Sequence, residues 1–191
     1  MGIRRLRSLS GRKKAVTAQR RDVIIQGLRI TSRRTMPLYR RIVRDRNYAA
    51  QLVQAVQALS LERVETIIRM EVPGAMVSVG AGFDACLDFD NGDREFCVGI
   101  FRPGERIHTA QIRLVSRIML PLLRKMANSR QFTAKVTDTI IRRQPAALLR
   151  LVRSAVNPAR VIATPIDDFG FVCVVKLPSG ARYNFVVTIL L

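Results

Sequence analysis

Tryptophan is absent from this chain, histidine occurs once, cysteine three times, and only five of the 33 basic residues are lysine. Each shortage closes off a class of protein. Three cysteines are too few for a disulfide scaffold, so synthesis in a reducing compartment, the cytoplasm, is expected. The single histidine, His108, has no carboxylate or cysteine beside it in a nucleophile pattern, and reads as a surface residue of a linker rather than a general base. No P-loop, GxSxG, HExxH or CxxC spacing occurs. No apolar run approaches the roughly 18 residues of a membrane-spanning helix. The first residues lack the apolar stretch of a secretory leader. The expectation is a non-catalytic protein with no cofactor, no bound metal and no membrane span.

Acid is also scarce, and unevenly so. Residues 1–47 hold fifteen basic side chains against two acids, Asp22 and Asp45, so they carry +13 of the formal +19. A polyanion partner follows: nucleic acid, an anionic surface or an acidic protein. Arginine, the dominant cation, makes forked contacts to phosphate and carboxylate. The candidate contacts are Arg4, Arg5, Arg7, Arg12, Lys13, Lys14, Arg20, Arg21, Arg33, Arg34, Arg40, Arg41 and Arg44. Arg40, Arg41 and Arg44 would form one basic helix face. Aromatic residues barely enter this region, so base stacking is not expected; contact with phosphates irrespective of base sequence is the nucleic-acid version. The alternatives are a solvated basic tail, or a counterpart for an acidic surface elsewhere in the protein. Hydrophobic residues nonetheless fill 48% of the 191 positions, enough for real cores.

Those apolar positions repeat. Leu28–Val72 aligns without gaps on Ile112–Val156, 84 residues later. Ser32 meets Ser116, Arg33 meets Arg117, Pro37-Leu38 meets Pro121-Leu122, Tyr48 meets Phe132, and Ile67-Ile68-Arg69 meets Leu151-Val152-Arg153. Each copy reads as a proline-containing helix, where the proline kinks the helix or starts a new one. A second helix follows, at Asn47–Leu59 or Arg130–Arg143, striped by Tyr48, Leu52, Val56 and Leu59 or by Phe132, Val136 and Ile140. A short third helix comes next. Ser60 is its N-cap in the first copy, with Leu59 and Val64 as a hydrophobic staple; Pro145 sits in its first turn in the second.

A hairpin closes each copy. Asp90-Asn91-Gly92-Asp93 is a two-residue Asn-Gly turn. It sets Phe89 opposite Arg94, Leu87 opposite Phe96, Ala85 opposite Val98 and Phe83 opposite Ile100, leaving Asp84, Cys86, Asp88 and Glu95 on the other face. Pro178-Ser179-Gly180 turns the second hairpin and sets Phe171, Cys173 and Val175 against Val187, Phe185 and Tyr183. Its outer face, with Val172, Val174, Lys176, Asn184 and Val186, is too apolar for water alone; burial by the other copy or by another chain is expected. Cys86 and Cys97 fall directly opposite each other, within disulfide reach, with two free thiols as the expected resting state. Cys173 reads as a buried small hydrophobe. Gly80 and Gly82 mark a bulge or a close approach of strands. The acids Asp84, Asp88, Asp90, Asp93 and Glu95 lack the ligand order of an EF-hand and are expected to be solvated, or to receive the basic arm of a neighbouring molecule.

The second copy runs from a helix ending at Met126-Ala127-Asn128-Ser129, through Phe132, Val136, Ile140, Leu148-Leu149 and Leu151-Val152. It continues through Val161 and Asp168-Phe169-Gly170-Phe171 to a hairpin ending Tyr183-Asn184-Phe185. Residues 115–191 thereby resemble the small inner spore-coat-type proteins of endospore-forming bacteria, which place S-x-x-F helices before a closing D-G-hydrophobic hairpin. Residues 31–101 resemble them more weakly, through the repeat. The resemblance implies a structural role in a spore layer and no catalytic residues.

The expected fold is α+β: a flexible basic arm (1–23), a first helices-then-hairpin repeat (24–101), a linker (102–107) and a second repeat (108–191). The two hairpins would share one four-stranded antiparallel sheet. The expected function is self-association or joining of other structural proteins, with nonspecific nucleic-acid binding through the arginine-rich region as the alternative.

Overall fold

A computed structural model describes residues 3–89 and 94–190, with side chains described from residue 19 onward. The chain makes two passes through the same kind of layer. The first contains α1 (Ile3–Arg44), α2 (Arg46–Gln57), α3 (Leu61–Arg69), β1 (Met76–Val79), β2 (Gly82–Phe89) and β3 (Arg94–Phe101). The second contains α4 (Thr109–Asn128), α5 (Arg130–Ile141), α6 (Pro145–Arg153), β4 (Val161–Ala163), β5 (Ile166–Asp167), β6 (Gly170–Lys176) and β7 (Arg182–Leu190). The fold is α+β.

All seven described strands belong to one antiparallel sheet, ordered β1-β2-β3-β7-β6-β4, with β5 also paired to β6. The two hairpins share one antiparallel sheet as expected, but it has seven described strands rather than four, and the two passes do not stand as separate units. β3 and β7 pair from Glu95↔Leu190 to Phe101↔Asn184. A lone hairpin leaves backbone donors and acceptors open along both edges; joining the hairpins through β3 and β7 satisfies one edge of each, and β1 and β4 cover the others. α1 runs unbroken from Ile3 to Arg44, and residues 102–108 lie between β3 and α4.

Local chemistry explains the element ends. Asp45 and Ser129 occupy the N-caps of α2 and α5, accepting from the amides of Tyr48 at 3.0 Å and Phe132 at 3.1 Å. Each satisfies an N–H that the first turn of the helix leaves without a partner. Both helices run into a left-handed residue, Leu59 (φ 52°) and Arg143 (φ 51°), and then into the next short helix. That left-handed turn swings Leu59 outward to 66% exposure, so the expected staple with buried Val64 does not form. Pro37 and Pro121 lie within α1 and α4, and neither starts a new helix.

The helices cover one face of the sheet. The inward set has the expected register: Phe83, Ala85 and Leu87 against Ile100, Val98 and Phe96, and Phe171, Cys173 and Val175 against Val187, Phe185 and Tyr183. All of these are buried. Burial also pushes the Cys173 thiol far above its ordinary pKa, so it behaves as an inert apolar group. α1 and α4 run antiparallel and make the most extensive contact between any two elements. Each lends an arginine to the other's C-terminal turn: Arg113 donates to the Val43 carbonyl at 2.8 Å, and Arg33 to the Ala127 carbonyl at 3.4 Å. A cation is favourable there because the last carbonyls of a helix lack partners. Two glycines serve the turns and pairing. Gly180 takes φ +85° in the β6–β7 turn. At Gly82 a Cβ would lie 1.9 Å from the Ile100 carbonyl oxygen, which explains the small residue predicted there. The Asp90–Asp93 turn lies outside the described residues.

Candidate functional site

Two surfaces gather residues that a globular fold has no structural need to place together. The first is the outer face of the sheet. Its side chains form rows across adjacent strands. One row is Ser78, Asp84, Gly99, Val186 and Val172; the next is Met76, Cys86, Cys97, Thr188 and Gly170. Phe101, Asn184 and Val174 form a third. Val172, Val174 and Val186 are half-buried while their inward neighbours are buried, so no described element lies over them. Burial by the other half of the chain, one of the two expectations for this face, does not occur: the second hairpin lies beside the first in the same sheet, not against it.

The face is also electrically divided. Lys176 and Arg182 pair in register at the β6–β7 turn and are exposed, whereas Asp84 and Glu95 lie on β2 and β3. Asp84 accepts from the Ser78 amide at 3.0 Å. Burial raises its carboxyl above the usual range, only partly offset by that hydrogen bonding. Beside it Cys86 and Cys97 form a disulfide, with α-carbons 3.9 Å apart, where two thiols were the expected resting state. Direct cross-strand pairing sets the two residues opposite each other, within reach of a bridge. Asp90 and Asp93, expected to extend this acidic surface, lie outside the described residues.

The second surface is a cleft of about 590 Å³ where α1 meets α2, lined by Pro37, Arg40, Arg41, Arg44, Asp45, Arg46, Asn47 and Glu71. Arg40, Arg41 and Arg44 come together as the helical spacing predicts. Arg46, which the expected contacts omit although it belongs to the same arginine run, joins them. Asp45 is inside this ring, in an ion pair with Arg41 at 2.9 Å. Its carboxyl is held below the usual range, chiefly by the Tyr48 amide.

The other candidate polyanion contacts are dispersed. Arg21 pairs with Asp138 at 2.6 Å, Arg34 donates to the Pro73 carbonyl at 2.7 Å, and Arg33 serves the end of α4. These three hold the first half of the chain to itself or to the second. Arg20 is exposed on α1. The side chains of Arg4, Arg5, Arg7, Arg12, Lys13 and Lys14 lie outside the described residues. His108 is exposed at the N-cap of α4, in the linker position expected of it. Among the described residues no helix is long and apolar enough to cross a membrane.

No family model matches the chain, and comparison with curated proteins and with solved structures finds no match.

Proposed function

We propose that this chain is a non-catalytic assembly protein that associates with copies of itself through the open face of its sheet. The observation that carries the reading is the half-buried valine ladder, Val172, Val174 and Val186, on a face that no described helix covers. Apolar surface of this kind gains about 25 cal/mol per Å² when removed from water. Charge favours a second copy of the chain as the occupant. Turned end for end, a partner would set its Lys176 and Arg182 toward Asp84 and Glu95. We also read the chain as two tandem copies of one helices-then-hairpin unit. The 84-residue spacing between the N-caps Asp45 and Ser129, and between the left-handed Leu59 and Arg143, supports this. The resemblance of residues 115–191 to inner spore-coat-type proteins makes a spore layer the proposed setting.

Light scattering on the purified chain tests the association. The expected mass is a dimer or larger, falling to the monomer in Val172→Lys and Val186→Lys with helical content unchanged by circular dichroism. A monomeric parent, or variants that assemble as well as the parent, would overturn the reading.

The arginine cleft favours a second reading, nonspecific nucleic-acid binding. Duplex DNA should then bind with an affinity that falls steeply with salt, and Arg40→Ala, Arg44→Ala and Arg46→Ala should each weaken it. Binding that ignores these changes would remove the cleft from consideration.

A further inference from the structure

The disulfide's surroundings hold more chemistry than a cross-link requires. Asp84 precedes Cys86 by two residues on β2, so strand alternation puts both on the outer face, and Cys97 is Cys86's direct partner on β3. An Asp84 carboxylate oxygen and the two cysteine sulfurs all lie within 4.8 Å of one another. The sulfurs are nearly enclosed, with Cys86 8% and Cys97 5% exposed, and Asp84 is half-buried beside them. Among the described residues Asp84 has no ion-pair partner; the Ser78 amide donates to it at 3.0 Å, the Ser78 side chain also bonds to it, and Cys86 Sγ lies 3.7 Å from its Oδ1. A half-buried carboxylate without a cation, next to two bridged sulfurs that reduction would free as thiols, is a donor set of mixed hardness converging on one point.

We infer that Asp84, Cys86 and Cys97 form a zinc(II) site when the Cys86–Cys97 bridge is reduced. Two thiolates and one carboxylate suit this borderline ion, which takes sulfur and oxygen ligands in a tetrahedron, with water in the fourth position. Tetrahedral coordination needs the sulfurs about 3.8 Å apart at zinc–sulfur distances near 2.3 Å, a separation that rotation of two opposed side chains supplies without changing the strand register. The bridged and metal-bound forms exclude each other, because a sulfur spent in the S–S bond carries no thiolate charge. A dithiol reductant opens the bridge. It is oxidised to its own disulfide, its two hydrogens end on the Cys86 and Cys97 thiols, and zinc then displaces both as protons. Cys173 does not compete, being buried on the other face. The inference does not rest on self-association, although the site lies on the same face.

Equilibrium dialysis against zinc(II) salt tests it, using the full chain reduced with a dithiol, freed of the reductant and kept anaerobic. Bound metal is counted by elemental analysis and mass is read by light scattering in parallel. One zinc per reduced chain and none per oxidised chain is expected. Asp84→Asn, which keeps both thiols and the bridge, should weaken the reduced site about tenfold or more. Cobalt(II) in place of zinc should show thiolate-to-metal charge-transfer absorption in the reduced chain alone. Zinc uptake that is equal in the oxidised and reduced chains, or that is unchanged in Asp84→Asn, would overturn the site, and so would a reduced chain that binds none. Should Cys86→Ser/Cys97→Ser fold, it must also bind none. A monomeric mass with zinc bound would count against the association reading alone.

Discussion

Arg21 and Asp138, 117 residues apart in the chain, meet as a two-pronged ion pair, Nε to Oδ1 at 2.6 Å and Nη2 to Oδ2 at 3.0 Å. The contact ties α1 to α5 and so joins the two passes at their outer surface. The Asp138 carboxyl is held below its usual range, first by the Arg21 hydrogen bonds. An acid depressed in the folded state adds stability above its unfolded pKa of about 3.9, and that stability is lost as pH falls through the lowered folded value. Both side chains are 36% exposed, so solvent screens the pair and the contribution is at most about 1 kcal/mol. Asp138→Asn should therefore lower the unfolding midpoint in urea near neutral pH. The difference from the parent should begin to shrink as pH falls past the unfolded value and close once the buffer is below the lowered Asp138 pKa. A gap that persists in acid would assign the loss to packing instead.

Gly27→Ala should destabilise the protein although it improves the helix. Alanine is favoured over glycine inside a helix by about 1 kcal/mol. Here the added Cβ would lie 2.2 Å from Phe96 Cζ. Phe96 cannot retreat easily: it is 1% exposed and stacked edge-on against Phe89 at 5.3 Å. Overpacking of this kind costs about 1–3 kcal/mol, so the clash outweighs the propensity or cancels it. Thermal unfolding of the variant decides the sign, and a raised midpoint would show that α1 shifts to make room.

Two buried tyrosines should respond oppositely to loss of their hydroxyls. Tyr48 Oη donates to the Ile67 carbonyl at 2.8 Å. Tyr48→Phe should cost about 1 kcal/mol, because a buried carbonyl loses its donor. Tyr39, fully buried, has no hydrogen-bond partner for its hydroxyl among the described residues, and its ring packs on Phe185 at 5.5 Å. Tyr39→Phe keeps the ring contact and removes the unmatched polar atom, so it should be neutral or stabilising. Equilibrium denaturation of both variants checks the contrast, and an equal loss in the two would refute it.

Much of the local structure is legible in the residues. The turn residues, with period-two alternation, set both hairpin registers, Phe83↔Ile100 and Phe171↔Val187 among them: the turn fixes which residues pair, and a one-residue slip would turn every apolar side chain of a hairpin toward water. The same alternation put Asp84, Cys86 and Cys97 on one face. Helical spacing grouped Arg40, Arg41 and Arg44. These are short-range facts, set by backbone geometry and side-chain direction within a few residues.

Long-range partners decided the rest. Arg21, Arg33 and Arg34 look like any other solvated arginine in the sequence; only packing brings Asp138, the Ala127 carbonyl and the Pro73 carbonyl within reach of them. β1 and β4 are too short to carry a pattern, and they form because neighbouring strands offer open edges. The pairing of β3 with β7 joins segments some ninety residues apart, and no periodicity encodes it. By itself, then, the sequence determined the α+β elements, their registers and which side chains share a face. Only the tertiary structure decided that the hairpins join through β3 and β7 with β1, β4 and β5 added to the sheet, that its valine ladder stays uncovered and that the cysteines close a bridge, because those outcomes depend on which distant surfaces bury each other.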